Sequence, residues 1–195
     1  IGGYACGGDI IVRDNTISDN QASISVFQAW EPLRLDLINN TFSGNLATNG
    51  NNGTLPFINE IVGVYAPFYS YCSAVAPTIR DLKIIDNIGN PFEGEFFGYG
   101  PATGLEISDL EIKGNTSANL FRVEGIPSNS IFKNWTVSDN TVLLDADNLN
   151  QFAMVSGTPE YFEFKNVQVE NNLLVSTAPT SPEIFFDFTL YSDLT

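Results

Sequence analysis

The sequence has no histidine, two cysteines, one methionine and only eight basic residues among 195. Without histidine it lacks the commonest general base and the commonest transition-metal ligand. Its 23 acidic residues set the net charge at −15, a sign that nucleic-acid phosphates and anionic lipid repel. No apolar run is long enough for a helical membrane span. Cys6 and Cys72 fit no zinc or redox spacing. They read either as two small buried apolar residues or as one disulfide made in an oxidising compartment. The chain opens at Ile1 with no signal-type segment, so a processed or partial polypeptide is expected.

Hydrophobic residues make up 43% of the chain, enough for one core and a single domain over 1–195. Charged residues are only 16%, which is too few for a disordered acidic tail. An Asn-, Gly- and Thr-rich chain with Val, Ile and Phe favours strands broken by many turns.

A nine-residue pattern recurs at Val12–Asn20, Leu37–Asn45, Ile79–Asn87, Ile107–Asn115, Phe132–Asn140, Phe164–Asn172 and Phe185–Asp193. Its first position is always apolar: Val12, Leu37, Ile79, Ile107, Phe132, Phe164, Phe185. Its third is always Asn or Asp: Asp14, Asn39, Asp81, Asp109, Asn134, Asn166, Asp187. The sixth is again apolar: Ile17, Phe42, Ile84, Ile112, Val137, Val169, Leu190. The ninth is Asn20, Asn45, Asn87, Asn115, Asn140, Asn172 and Asp193. Successive copies lie 25, 42, 28, 25, 32 and 21 residues apart, a period that marks stacked repeats. Alternation of period two between Asx residues that tolerate left-handed backbone means strand, bend, strand. Helical spacing is absent.

A further apolar strand follows several copies, at Ile24–Phe27, Phe96-Phe97, Leu120–Val123 and Phe152–Val155. Pro32, Pro77, Pro101, Pro127, Pro159 and Pro182 precede the next copies. The expected fold is therefore all-β: a right-handed parallel β-helix of about seven coils, three short strands per coil, with Asn/Asp ladders at the bends. Coils about 4.8 Å apart make a rod roughly 30–35 Å long. First and sixth positions point inward, and both Asx files are expected as buried ladders in which each amide bonds the next. A long insert at 46–78 carries Phe57, Ile58, Tyr65, Phe68, Tyr69 and Tyr71. It reads equally as a binding excursion or as an oversized wall of one coil.

The pattern resembles the right-handed β-helices of the pectin-lyase-like superfamily. It is most similar to the passenger repeats of polymorphic outer-membrane and surface adhesin proteins, whose signatures are Gly-Gly-x-Ile and Phe-x-x-Asn. Gly7-Gly8-Asp9-Ile10 and Phe42-Ser43-Gly44-Asn45 match these, and the other copies carry Ile, Val or Leu in place of Phe.

For enzymes of that superfamily the resemblance implies clustered Asp with Gly-His-Gly and Arg-x-Lys in hydrolases, and Asp-bound calcium with an Arg or Lys base in lyases. This sequence has neither hydrolase motif. Asp81 beside Arg80, or Asp14 beside Arg13, is the lyase-like arrangement, although both aspartates also read as ladder members. Arg13, Arg80, Lys133 and Lys165 share the second position and form an outward basic stripe. The stripe reads as neutralising the third-position carboxylates, or as a binding face for acidic glycans. Asp19, Asp86 and Asp139 at the eighth position are the candidate calcium ligands, but on non-adjacent coils they do not converge as calcium requires. Among the sequons Asn39, Asn52, Asn115 and Asn134, the loop residue Asn52 is the expected glycan acceptor, because a buried ladder amide cannot carry sugar.

These readings point to an extracellular or cell-surface structural or adhesive module without a catalytic site or obligatory cofactor, with a filament subunit as its candidate form. It would self-assemble or meet other surface proteins or glycans, and would bind no nucleic acid. A polysaccharide lyase or hydrolase acting on acidic glycans is the alternative, and a carbohydrate-binding module a further one.

Overall fold

The computed structural model describes residues 2–3, 8–47, 59–65, 75, 77–96, 104–144, 151–157, 159–176 and 184–190. Among them are nineteen strands and no helix, and every strand pair is parallel. Sheet one runs β1 (Gly2–Gly3), β5 (Phe27–Trp30), β8 (Glu60–Tyr65), β10 (Asn90–Glu95), β13 (Phe121–Ile126), β16 (Gln151–Gly157) and β19 (Ile184–Leu190). Sheet two runs β17 (Phe162–Glu170), β14 (Ser130–Ser138), β11 (Glu106–Lys113), β9 (Thr78–Ile85), β6 (Arg34–Ser43) and β2 (Asp9–Arg13), with β3 (Thr16–Ser18) also on β6.

Short strands make two smaller sheets. One pairs β4 (Gln21–Ala22) with β7 (Leu46–Ala47); the other runs β12 (Thr116–Ser117), β15 (Thr141–Leu144) and β18 (Leu173–Ser176). Ile88 bridges the two through Leu46 and Thr116.

Parallel neighbours cannot be joined by tight hairpins, so the chain must travel between them. Here it does so through other strands instead of helices. Each of the first six copies lies in sheet two, continues into a short strand or, after the third, the bridge at Ile88, and then enters sheet one before the next copy begins.

Register places like on like. Val12, Leu37, Ile79, Ile107, Phe132 and Phe164 pair in succession, as do Ile17, Phe42, Ile84, Ile112, Val137 and Val169. Sheet one adds its own inward file of Phe27, Val62, Phe92, Phe121 and Ala153. All these residues join one hydrophobic core. Each fully buried large side chain there contributes roughly 1.5–3 kcal/mol before conformational entropy is charged. In later repeats the core turns aromatic: the Phe132 and Trp135 rings stack 5.1 Å apart, with Phe121 edge-on to Trp135 at 5.3 Å.

Four expectations change. The segment expected as a seventh copy is a sheet-one strand: Phe186 pairs with Ala153 and Asp187 with Met154. Chain order explains this, since every repeat enters sheet one before it can return to sheet two. Asp187 and Leu190 thus lie in sheet one, and Asp193 lies outside the described residues. Second, the sheet-one strand after Asn87 is Asn90–Glu95 instead of Phe96-Phe97. Phe96 follows it, fully buried. Third, the two readings left open for the insert at 46–78 narrow toward the wall of a coil over its described part, which supplies β7 and β8. Tyr65 within it is buried and stacks on Trp30 at 4.6 Å, whereas Phe57, Ile58, Phe68, Tyr69 and Tyr71 lie outside the described residues. Fourth, the third-position residues face outward: Asp14, Asn39, Asp81, Asn134 and Asn166 are exposed and Asp109 is half-buried.

Candidate functional site

Both bends of the repeat are built from a residue pair. The first member has left-handed backbone and points out; the second points in. At the first bend the left-handed residues are Asp14, Asn39, Asp81, Asp109, Asn134 and Asn166, with φ between 52° and 58°. At the second they are the eighth-position residues Asp19, Asp86, Asp139 and Asn171, with Gly44 and Gly114 between them. Asx and Gly are the residues that enter this region at least cost. The correction to the third position follows directly, since a residue that turns the backbone this way carries its side chain away from the core.

The inward partner at the second bend is the ninth-position asparagine. The Nδ2 groups of Asn20, Asn45, Asn87, Asn115 and Asn140 each donate to the Oδ1 of the next asparagine, ending at Asn172, at 2.8–3.0 Å. The backbone N–H of each of the five donates to that same oxygen at 2.9–3.0 Å. The second amide hydrogen reaches a sixth-position carbonyl one repeat back, as from Asn87 to Phe42 at 3.0 Å and from Asn140 to Ile112 at 3.0 Å. Asn45, Asn87, Asn115 and Asn140 are at most 1% exposed, and a buried amide of this kind is tolerated only when so satisfied.

The inward partner at the first bend was missed by the sequence reading. Asn15 and Asn40 form a short version of the same ladder, with Asn15 N and Nδ2 donating to Asn40 Oδ1 at 3.1 and 3.2 Å. The position then becomes apolar, as Leu82, Leu110, Trp135 and Val167. Trp135 keeps one amide function: its Nε1 donates to Ile107 O at 3.0 Å, the bond that Asn40 Nδ2 makes to Val12 O at 2.8 Å. The outward third-position file carries looser bonds, Asn39 to Asp14 at 2.7 Å, Asn134 to Asp109 at 3.0 Å and Asn166 to Asn134 at 3.0 Å.

The eighth-position aspartates are held apart. Asp19, Gly44, Asp86, Gly114 and Asp139 alternate along the file. A Cβ on Gly44 would sit 2.7 Å from Asp19 Oδ1, and one on Gly114 closer still to Asp86. Asp19 and Asp86 each lie over a glycine in the next repeat, which separates them from one another and from Asp139, so the three candidate calcium ligands are not brought together. Among the described residues no group of three or more acidic, His or Cys side chains is placed to hold a metal ion.

The basic stripe finds partners other than those expected. Arg13 and Arg34 both bond Asp36, whose side chain is 3% exposed. Burial pushes the Asp36 carboxyl up, but the hydrogen bonds and charges of the two guanidiniums outweigh it and hold the carboxyl below its usual range. Lys133 pairs with Glu106 at 2.9 Å and Lys165 with Glu163 at 2.7 Å. Only Arg80 lies beside its own third-position carboxylate, 3.6 Å from Asp81, with both about half exposed. The neutralising carboxylates thus stand mainly one position before the pattern, at Asp36, Glu106 and Glu163.

Sheet one carries a second charged group. Glu60 and Glu93, on neighbouring strands, are 7% and 9% exposed, and Arg122 lies 3.7 Å from Glu93. The Tyr65 ring folds back over Gly63, where a Cβ would lie 3.0 Å from its Cε2. The sequence hid this cluster because strands β8 and β10 begin at different distances after their asparagines.

Of the sequons, Asn39 and Asn134 are exposed, Asn115 is fully buried and bonded on both amide hydrogens, and Asn52 lies outside the described residues. Cys6 and Cys72 also lie outside them. No family model, no curated protein and no solved structure matches this chain.

Proposed function

We propose that the chain is a stretch of right-handed parallel β-helix of the pectin-lyase-like kind, serving as a structural or adhesive module at the cell surface or outside the cell. One observation carries the reading: six asparagines bonded in an unbroken file, with apolar files in register on either side. Stacked repeats are quasi-one-dimensional, and what they offer is a long regular surface. Right-handed winding is the hand taken by nearly all strand–crossover–parallel strand connections.

The edges support assembly as the working mode. Among the described residues no strand pairs with the far edges of β17 or β18. Phe162, Phe164, Val167, Val169 and Leu174 there are only partly buried, while their central counterparts Phe132, Trp135, Val137 and Val142 are fully buried. Strand edges of this kind are templates for further strands, whether of the same polypeptide or of another copy. The net charge of −15 opposes association at low salt and is screened at higher ionic strength. Light scattering and electron microscopy over a series of protein and salt concentrations test this. Particles that lengthen at constant width are the expected result. A monomer at every concentration and ionic strength would end the filament reading.

The alternative, a polysaccharide lyase acting on acidic glycans, rests on exposed Arg80 beside Asp81. Uronate-lyase assays with and without calcium separate the two. Robust turnover lost in Arg80→Ala would favour the enzyme and displace the structural reading.

A further inference from the structure

The outer side of sheet one gathers four carboxyl groups around one cation. Glu60 comes from β8, Glu93 and Glu95 from β10, and Glu124 from β13; Arg122, also on β13, bonds Glu124 and stands 3.7 Å from Glu93. No further ion pair to any of these carboxyls occurs among the described residues. Glu60 and Glu93 are both buried on neighbouring strands, and Ser25 Oγ donates to Glu60 Oε2 at 2.6 Å. Tyr65, stacked on Trp30 and lying over Gly63, borders the same group: burial, then the Glu60 and Glu93 charges, raise its hydroxyl above its ordinary value. A carboxyl group as buried as Glu93, with a second on the neighbouring strand, ionises at a cost that one guanidinium already bonded to Glu124 does not remove.

We infer that Glu93, buried among the carboxyl groups of three neighbouring strands with one shared guanidinium, holds a proton there and forms a latch that keeps sheet one tighter in acid and loosens it as the medium becomes neutral. Burial, followed by the Glu60 charge, raises Glu93 from 4.5 to about 7. Burial and then Glu124 raise Glu95 in the same direction. Between the unfolded and folded values the folded chain binds more protons, so its stability falls as pH rises from about 4.5 to about 7. That is opposite in sign to the common carboxylate case.

Thermal melting of the full chain between pH 5 and pH 8 is the test, on the wild type, Glu93→Gln and Glu60→Gln. The wild-type midpoint should fall by roughly 5 °C across the window. Glu93→Gln should be nearly flat and should melt above the wild type at pH 8. Glu60→Gln should move the fall to lower pH, because Glu93 then titrates without its like-charged neighbour. Infrared titration of the wild type reads the proton directly, and a protonated carboxyl band should persist at pH 6 and vanish by pH 8. A flat wild-type melting curve, an unchanged slope in Glu93→Gln, or loss of that band below pH 5 would each overturn the latch. The infrared result decides even if a variant does not fold.

Discussion

The two bends of the repeat solve one problem in different ways. Both turn the chain with a left-handed residue, and both then point a side chain inward. At the second bend that side chain is asparagine in all six repeats, bonded from Asn20 through to Asn172. At the first bend it is asparagine only in Asn15 and Asn40, and apolar from Leu82 onward. The left-handed residue is therefore the common requirement of the turn. The inward amide is one of two ways to fill the corner, the other being hydrophobic packing. A continuous amide file is all-or-none, because an apolar residue in its middle strands donors and acceptors on both sides.

The comparison breaks most sharply at Asn115. Asn115→Leu leaves Asn87 N and Nδ2 without their acceptor and takes one donor from each of the Ile84, Lys113 and Asn140 oxygens, of which Lys113 O keeps Asp86 N and Asn140 Oδ1 keeps the backbone N–H of residue 115. At ~1–3 kcal/mol for each buried group left unsatisfied, a loss of about 4 kcal/mol or more is expected in urea unfolding. A loss under 1 kcal/mol would show that the file is not what holds the second bend. Asn40→Leu, which copies what Leu82 already does one repeat on, should lose only about 1–2 kcal/mol, since it takes the acceptor from exposed Asn15 and a donor from Val12 O and Ile38 O, of which Ile38 O keeps Asp14 N. Equal losses at Asn40 and Asn115 would erase the distinction between the bends.

Trp135→Phe tests the intermediate case. The ring stays in the aromatic core but the bond to Ile107 O disappears, so about 1 kcal/mol is expected by the same denaturant series. Gly114→Ala probes the outward half of the second bend. Its φ of +67° and the overlying Asp86 carboxylate predict a loss of about 1–2 kcal/mol, partly relieved in Gly114→Ala with Asp86→Gly. The smallest stability effect lies on the outward file. Expressed in a host that glycosylates, Asn39 and Asn134 should accept glycan while Asn115 stays bare, as glycopeptide mass spectrometry would report. Sugar on Asn115 would mean that the ladder forms after modification or not at all.

Acid sensitivity separates the outer surface of sheet two from that of sheet one. Asp36, held below its usual range between Arg13 and Arg34, contributes stability that is present above pH 3.8 and lost as pH falls through its folded value. Replacing Arg34 with Gln should weaken that contribution and leave the sheet-one window between pH 5 and 8 untouched.

Much of this was legible in the repeat. Period-two alternation between Asx residues placed the apolar files at Val12 to Phe164 and Ile17 to Val169, and the ninth asparagines as a set. The direction of the third position was not legible, because Asx residues suit both an inward ladder and an outward left-handed turn. The eighth position held the missing signal: a column of Asp, Gly and Asn is what a second left-handed turn requires. Phe185–Asp193 shows the opposite failure. Its local pattern satisfies the repeat, yet chain order assigns it to sheet one.

Sequence alone determined that this chain is all-β and which side chains recur, since pattern and backbone preference are local properties that a repeat amplifies. Tertiary structure alone decided which Asx file is buried, which carboxylates neutralise the basic stripe, and that Glu60 meets Glu93. Asp36 stands 23 residues from Arg13, Glu106 27 from Lys133 and Glu93 33 from Glu60, and only the parallel register, set by loops of unequal length, brings them together.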